Sequence, residues 1–344
     1  MVREVLNRLI AGEDLGTSEA EELMRQMMDE ELTPVQLAGV MVALRAKGET
    51  AEEVVGFASA MRSRARHIEF SVPVADTCGT GGDHSGTFNV STVAAVVVAA
   101  CGQPVAKHGN RAASGRCGSA DVLEALGVDV GLPPEGVVQC VEGAGIGFLF
   151  APTFHPAMKF AGLPRRELGV RTVFNLLGPL TNPARPHFQL LGVSSEDLLD
   201  LMASALAGLG VEHALVVHSA DGMDEISVAG PTSVREISAT GIESYEITPE
   251  DFGLGRSEIE GLRGGDPETN ATIFRDVMGG QPGAARDCAV MNASAALLAS
   301  GRVSSLREGA ERAAEALDSG AALSTLVSLR ESSRRDRVSV EGST

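Results

Sequence analysis

The chain has 344 residues, 44% of them hydrophobic and 22% charged, and carries a net charge of −18. This length allows one large or two modest domains with an ample core, and the composition is that of a globular body rather than a disordered chain. The acidic total repels nucleic acid and anionic membranes, and with 3% aromatics, no Trp and one Tyr there is little to stack single-stranded bases.

The first seventy residues read as a helical unit. Ser18 with Glu21, Thr33 with Gln36, and Thr50 with Glu53 stand at the spacing of reciprocal helix caps, and Pro34 occupies a first helical position where its missing N–H costs nothing. Behind them Leu23 and Met27, then Leu37, Val40, Met41 and Leu44, then Val54, Ala58 and Met61 recur at helical spacing. These faces serve as core or as a dimer surface. The start lacks the apolar stretch of a signal peptide, and the longest apolar run, 93–101, is too short to cross a bilayer, so a cytoplasmic protein is expected. The five cysteines are scattered without CxxC spacing, which fits neither a disulfide framework nor a zinc site.

Beyond residue 70 the texture changes. Strand-like segments at 104–106, 146–150, 188–193 and 214–217 alternate with helical patterns at 92–101, 120–126 and 196–209. This rhythm predicts an α/β domain with a mostly parallel sheet, whose ligands gather at the carboxyl ends of the strands. Residues 286–330 read as mainly helical and 331–344 as a mobile polar tail.

Four stretches carry chemistry. In DTCGTGGDHSGTFNVST (76–92) the glycines are too dense for a core strand, because each raises the entropy cost and packs nothing. No Walker Gly-Lys-Ser/Thr follows, and His84 stands where GxGxxG needs its last glycine. The physical logic is still that of an anion loop: inward N–H groups, a helix start near Ser91 and Thr92, and the hydroxyls of Thr87, Ser91 and Thr92. A tight turn capped by Ser91 is the alternative. In KHGNRAASGRCGSADVLEALG (107–127), Lys107, Asn110, Arg111, Ser114 and Gly115 form a basic loop after a strand, with Ser119 capping the next helix. Two such loops, each ahead of a helix, point to a ligand with two phosphate groups; a solvated basic loop is the alternative. In HSADGMDEIS (218–227), Asp224 and Glu225 point to opposite faces on a strand but converge on a hard cation from a loop, unless this is an ordinary polar turn. In PTFHPAMKFAGLPRRELGVRTVFNLLGPLTNPA (152–184), His155 and Arg165 stand out, Arg165 as a clamp for a carboxylate. Segment 84–120 holds no acid, and 143–195 holds only Glu167 against Lys159, Arg165, Arg166, Arg171 and Arg185, as an anion pocket or chance clustering would have it.

Taken in order, GTGGD, TFNVST, KHGNRAASG, GSADVLEALG, RTVFNLLGPLTNP and DGMDE resemble the anthranilate phosphoribosyltransferases, over nearly the whole chain to about residue 330. The resemblance implies a nucleoside phosphorylase/phosphoribosyltransferase-like fold: a helical domain (1–70, joined by a returning segment near 155–185) and a larger α/β domain (71–330), with the site at the hinge and a homodimer through the helices. It implies transfer of the phosphoribosyl group of 5-phosphoribosyl 1-pyrophosphate (PRPP) to the amino group of anthranilate, with release of pyrophosphate. PRPP would meet Gly79, Gly82, Asp83, Thr87, Asn89, Val90, Ser91, Thr92, Lys107, His108, Gly109, Asn110, Arg111, Ala112, Ala113, Ser114, Gly115 and Ser119. Anthranilate would meet Gly79, Asn110 and Arg165, and Ser91, Asp224 and Glu225 would hold two Mg²⁺ ions. Lys107 and Arg165 take electrostatic roles; His108 is a candidate proton acceptor, with no general base required. His84, Cys117 and Ser219 depart from the commonest family residues without removing an implied ligand. A pyrimidine nucleoside phosphorylase is the nearest rival, though the Asp-Glu pair is foreign to it. A non-catalytic relative that binds nucleic acid is a second, and the acidic total opposes it.

Overall fold

The computed structural model describes residues 2–112 and 115–334. Four helices open the chain: α1 (Val2–Ile10), α2 (Thr17–Met28), α3 (Pro34–Lys47) and α4 (Ala51–Arg64). The caps at Thr33 and Thr50 form as the sequence predicts, with reciprocal bonds to Gln36 and Glu53. The Ser18 cap does not. Helix α2 starts two residues earlier, capped at Gly16, whose N–H donates to Glu19 at 3.2 Å. Glu53 explains part of the bundle's rigidity: fully buried, its carboxylate accepts from the N–H groups of Leu15 (3.0 Å) and Thr50 (2.9 Å) and pairs with Lys47 at 3.1 Å.

The remainder builds a seven-stranded sheet from β1 (Ala75–Gly79), β2 (Val105–Gly109), β3 (Ile146–Phe150), β4 (Phe188–Gly192), β5 (His213–Ser219), β6 (Thr232–Ser238) and β7 (Gly241–Ile247), in the order β3-β2-β1-β4-β5-β6-β7. The first five are mutually parallel; β6 and β7 add an antiparallel hairpin at one edge. The chain runs from β1 outward to β2 and β3, then returns to place β4 on the other side of β1. The strand order therefore reverses between β1 and β4, and a crevice opens at their carboxyl ends.

Alternation along the strands feeds two cores. Leu190, Leu215, Val217 and Val234 face one way, with α5 (Val90–Ala100), α6 (Ser119–Ala125) and helix Ala284–Ala299. Cys78, Leu191, Ala214, Val216 and Ile237 face the other way and merge with the apolar faces of α1–α4. Helix α5 is apolar all round because the sheet lies on one side of it and later helices on the other. The small bundle thus shares its core with the sheet and with a returning segment: helix Lys159–Leu168 rests on α3 and helix Phe174–Leu180 on α4. Residues 284–332 are mainly helical, as predicted, up to Ser332; of the expected tail, 335–344 lie outside the described residues.

The sequence reading lacks helices Pro134–Ala144 and Pro267–Met278 and strand β1, which runs straight into the stretch judged too rich in glycine for a core strand. Strand β2 extends to Gly109, so Lys107 and His108 belong to the strand and not to the basic loop after it. The β6–β7 hairpin is absent from the sequence reading, because β7 (GIESYEI) is an exposed edge strand whose two glutamates carry no apolar alternation.

Candidate active site

The carboxyl ends of β1 and β4 meet at Gly79 and Gly192, which are register partners. Both must be glycine for the same reason. A Cβ on Gly79 would collide with the Asp224 carboxylate, and one on Gly192 with the Asp224 backbone carbonyl. Asp224 is delivered by the loop after β5, which folds back over the sheet. That loop is pinned by Asp221, which accepts from Ser219 Oγ (2.5 Å) and from Ser227 Oγ, and by Asn292, whose Oδ1 accepts from Ile226 N–H at 3.1 Å. Asp224 and Glu225 stand on a loop, the condition under which adjacent carboxylates converge.

The glycine loop closes over them. Gly81 N–H donates to Asp224 Oδ2 at 2.7 Å, Asp224 N–H to Asp83 Oδ2 at 3.4 Å, and Ser91 N–H to Glu225 Oε1 at 3.1 Å. Gly81, Gly82, His84 and Gly86 all have positive φ, from 60° to 76°, a backbone that turns successive N–H groups to one side. His84 holds a left-handed conformation without being glycine, which costs about 1–3 kcal/mol and marks a segment held by its surroundings. Helix α5 starts at Val90 with Asn89 as its cap residue, so Ser91 lies in the first turn and is not the cap. Thr87 bridges to Arg263, and its hydroxyl lies 3.2 Å from that of Ser85. Thr92 is buried with its hydroxyl unpartnered.

Among the described residues no Lys, Arg or His forms an ion pair with Asp83, Asp224 or Glu225. Burial pushes the carboxyls of Asp224 and Glu225 upward, with the charge of Asp83 next for Asp224, and the charge of Asp224 next for Glu225 against an opposing pull from Lys107. A divalent cation with oxygen ligands fits such a site. The described residues offer no ready cage of three or more His, Cys, Asp or Glu, as suits an ion that takes substrate phosphates and water as its other ligands.

Lys107 reaches the crevice from β2. Only 2% exposed, it donates to Thr77 O at 2.5 Å and to Ser91 Oγ at 3.3 Å. Behind it Asp76 is wholly buried and accepts from Asn182 Nδ2 at 2.8 Å, the same amide that binds Ala106 O. Burial pushes the Asp76 carboxyl up to about 6 against the opposing pull of Lys107. His108 follows, its Nδ1 3.2 Å from Gly178 O and its ring edge-on to His155 at 5.2 Å between centroids. Burial, and then its neighbour's charge, depress His108 to about 3; burial depresses His155 to about 4.

The second loop is organised differently. Asn110 O accepts from Ser119 Oγ (3.2 Å) and from Ala120 N–H (3.1 Å), so Ser119 braces the loop. It does not cap α6: Gly118 is the cap residue, and its N–H and that of Ala112 both donate to Asp121 Oδ2, at 2.8 and 3.0 Å. Gly109 leaves room for the Ser119 hydroxyl. Arg111 turns outward to Asp121 (3.1 Å) and Glu124 (2.5 Å) and stacks on Phe150. Gly115 is exposed, and Ala113 and Ser114 lie outside the described residues. Asn89 joins the two loops, its Nδ2 donating to Cys117 O at 3.1 Å while its Oδ1 accepts from Asn270 at 2.9 Å. Arg165, in the last turn of helix Lys159–Leu168, stacks over Phe174 at 5.3 Å, and burial lowers its basicity. It makes no hydrogen bond to Gly79 or Asn110.

This arrangement has close counterparts. Residues 3–65 match the helical bundle domain, and 71–323 the a/b domain, of the glycosyl transferase family. Anthranilate phosphoribosyltransferase of Rubrobacter xylanophilus is 53% identical over 336 residues, 97% of this chain and 98% of that one. The chain belongs to the anthranilate phosphoribosyltransferase family. The relative from Symbiobacterium thermophilum is 52% identical over 98% of this chain and 99% of its own. The solved anthranilate phosphoribosyltransferase of Thermus thermophilus superposes with a TM-score of 0.90 at 47% identity, covering 96% of this chain and 99% of that one. The Saccharomyces cerevisiae member, solved in complex with PRPP and Mg, gives 0.89 at 28% identity over 97% and 98%.

Sequence reasoning gave no role to Gly192, Asp221, Asn182 or Asn292, and named Arg171 only among the basic residues of an acid-poor segment. Asp221 and Asn182 sit inside quoted motifs, DGMDE and LTNP, and their polarity within apolar surroundings was the available signal. Gly192 and Asn292 carry none, since their partners lie 32 and 66 residues away.

Proposed function

We infer that this chain transfers the 5-phosphoribosyl group of PRPP to the amino nitrogen of anthranilate and releases pyrophosphate, a step of tryptophan biosynthesis carried out in the cytoplasm. The observation that carries the reading is the buried pair Asp224–Glu225, which forms no ion pair among the described residues and is closed over by the glycine loop on one side and Lys107 on the other.

The diphosphate and ribose phosphate of PRPP lie against the N–H groups of Gly79–Asp83 and the start of α5 (Thr87 and Asn89–Thr92), and against Lys107–Gly115 with Ser119. Ser91, Asp224 and Glu225 hold two Mg²⁺ ions together with the pyrophosphate oxygens. Bound there, the metal stabilises negative charge on the departing diphosphate. The Lys107 ammonium and the N–H groups of the glycine loop and the first turn of α5 serve the same developing charge from fixed positions. The aromatic amine is already nucleophilic, so the acceptor site works by alignment, which in favourable cases supplies ~7–11 kcal/mol. Arg165 faces the anthranilate carboxylate, with Gly79 and Asn110 on the other sides of the ring. His108, depressed by burial, is neutral at pH 7 and available as a proton acceptor without being required as a base. The exposed apolar side chains Ile10, Val35 and Val42 on the bundle, with Leu163 on the returning helix, form the surface through which two copies pair.

Anthranilate fluorescence tests the reaction directly. Addition of PRPP with Mg²⁺ quenches it and chelation stops the loss; a folded protein that leaves the fluorescence unchanged would refute the assignment. Arg165→Ala raises the KM for anthranilate about tenfold or more, the loss of a hydrogen bond to a charged group being about 1.5–3 kcal/mol, with the KM for PRPP unchanged. An equal rise in both constants would remove Arg165 from the acceptor site.

A further inference from the structure

Arg171 belongs to the motif RTVFNLLGPLTNP but has no part in the binding sets above. It stands just ahead of helix Phe174–Leu180, and the residues that follow it, Val173, Phe174, Leu176 and Leu177, belong to the core shared with the helical bundle. Its guanidinium leaves that core and crosses to the glycine loop, where Nη1 donates to the Gly82 carbonyl at 3.2 Å. Gly82 is at φ +76°, and a Cβ there would stand 3.0 Å from Nη1. Glycine suits the position by its conformation, and a side chain there would crowd the arginine lying against it.

The other nitrogen, Nη2, is buried without a partner. It borders a cavity of about 130 Å³ between the bundle and the sheet, where Glu49 Oε1, Thr172 Oγ1 and Ser194 Oγ are also buried and unpartnered. Ser194 N–H donates to Thr80 Oγ1 at 3.1 Å, so the same wall grips the loop at Thr80 and at Gly82. Four unsatisfied polar atoms from three segments mark a polar seam that runs under the glycine loop where bundle meets sheet.

We propose that Arg171 is a positioning residue for PRPP: it holds the Gly82 carbonyl on the seam side, which keeps the N–H group of Asp83 turned toward the diphosphate and ties the loop to the helical bundle. A peptide unit has its C=O and N–H on opposite sides, so fixing the carbonyl of residue 82 fixes the N–H of Asp83. This role rests on the reading of the glycine loop as the diphosphate cradle.

The test is calorimetric titration of PRPP with Mg²⁺, without anthranilate, into the wild type, Arg171→Gln and Arg171→Lys, with steady-state KM values for both substrates alongside. Arg171→Gln weakens PRPP binding about tenfold, and Arg171→Lys, which retains charge and one donor, about threefold, while the KM for anthranilate stays within about twofold. A folded Arg171→Gln that binds PRPP as the wild type does overturns the role. So does an equal loss for both substrates in both variants, which is the mark of general structural damage. If Arg171→Gln does not fold, Arg171→Lys decides by the same selectivity for PRPP. A wild type that fails to bind PRPP overturns the cradle reading and this role together, whereas normal wild-type binding with unaltered variants overturns this role alone.

Discussion

The two strand-to-helix loops of the crevice look alike in sequence, both glycine-rich and both poor in acids, yet they are held by opposite means. The β1–α5 loop is fixed from far away: Gly81 and Ser91 donate to Asp224 and Glu225, 143 and 134 residues on, and Gly82 accepts from Arg171, 89 residues on. The β2–α6 loop is fixed by its neighbours: Ala112, Gly118 and Arg111 all turn to Asp121, no more than 10 residues away, and Arg111 also to Glu124. The first is a junction through which the sheet, the β5–β6 loop and the bundle meet. The second is a self-contained turn that presents backbone to the crevice. A local motif is expected to survive perturbation elsewhere, and a long-range junction to transmit it.

The sharpest way to break that contrast is at the shared carboxylates. Asp224→Ala combined with Glu225→Ala removes the partners of Gly81 and Ser91 and the proposed seat of the metal together, and lowers magnesium-dependent turnover by about 10³-fold or more. Persistence of activity within tenfold would mean that the metal and the diphosphate are held elsewhere. Next in size is Gly192→Ala. Its methyl enters the Asp224 carbonyl, so the β5–β6 loop must lift. We expect a loss of about 2–3 kcal/mol in chemical denaturation together with a raised KM for PRPP, although Gly192 touches no substrate. A stable Gly192→Ala protein would show that the loop has slack which the close contact denies.

These two positions also measure how much was legible in the letters. Strand β5, helix α5 and the caps at Thr33 and Thr50 were readable because apolar period or capping chemistry is local. The glycine and acid motifs stood out because small hydroxyls, glycines and paired acids have few other uses in such density, and the structure brings Gly81, Ser91, Asp224 and Glu225 together. Lys107 misled the reading of β2, since a lysine ordinarily ends a buried strand; here Thr77 O and Ser91 Oγ satisfy it inside the sheet. Gly79 gave no sign that β1 continues to it, because its purpose is to make room for a side chain 145 positions later. What the sequence hides is the set of contacts that close across the switch point between β1 and β4, which only the strand order brings together.

Acid sharpens the comparison on the side of the second loop, through the strand that feeds it. His108 and His155 are buried neutral, at about 3 and about 4, against 6.5 for an unfolded histidine. Their contribution is intact above pH 6.5 and falls as the pH drops from there toward 4, because the unfolded chain takes up protons that the native pair refuses. Each histidine accounts for about 1.4 kcal/mol per pH unit within that window. Asp76 works against them below pH 6, since its native carboxyl, at about 6, binds a proton that the unfolded one, at 3.8, does not. Asp224 and Glu225, also raised by burial, oppose them in the same way, so the histidine contribution is read by difference: from pH 6.5 down to pH 4 the urea stability of His155→Asn rises relative to that of the wild type, by up to about 1.4 kcal/mol per pH unit. A constant difference between the two proteins over that range would mean that His155 is hydrated and titrates normally.

The smallest effect expected is at Arg111, and it separates the two loops most cleanly. Its guanidinium is half-exposed and committed to Glu124 and Asp121, pairs that in water are worth ~0–1 kcal/mol. If the loop presents backbone to the phosphate, Arg111→Ala changes the KM for PRPP less than about threefold and stability by no more than that small amount. Asp121→Ala, by contrast, strips acceptors from Ala112 and Gly118 N–H and costs about 1–3 kcal/mol. Glu124→Ala decides between the two readings of the arginine. It frees one of the two carboxylate anchors, so a phosphate-binding Arg111 would tighten PRPP, while a structural Arg111 leaves affinity where it was. Tightening would make the second loop a side-chain site after all, and the contrast between a junction and a self-contained turn would then fail at its most exposed point.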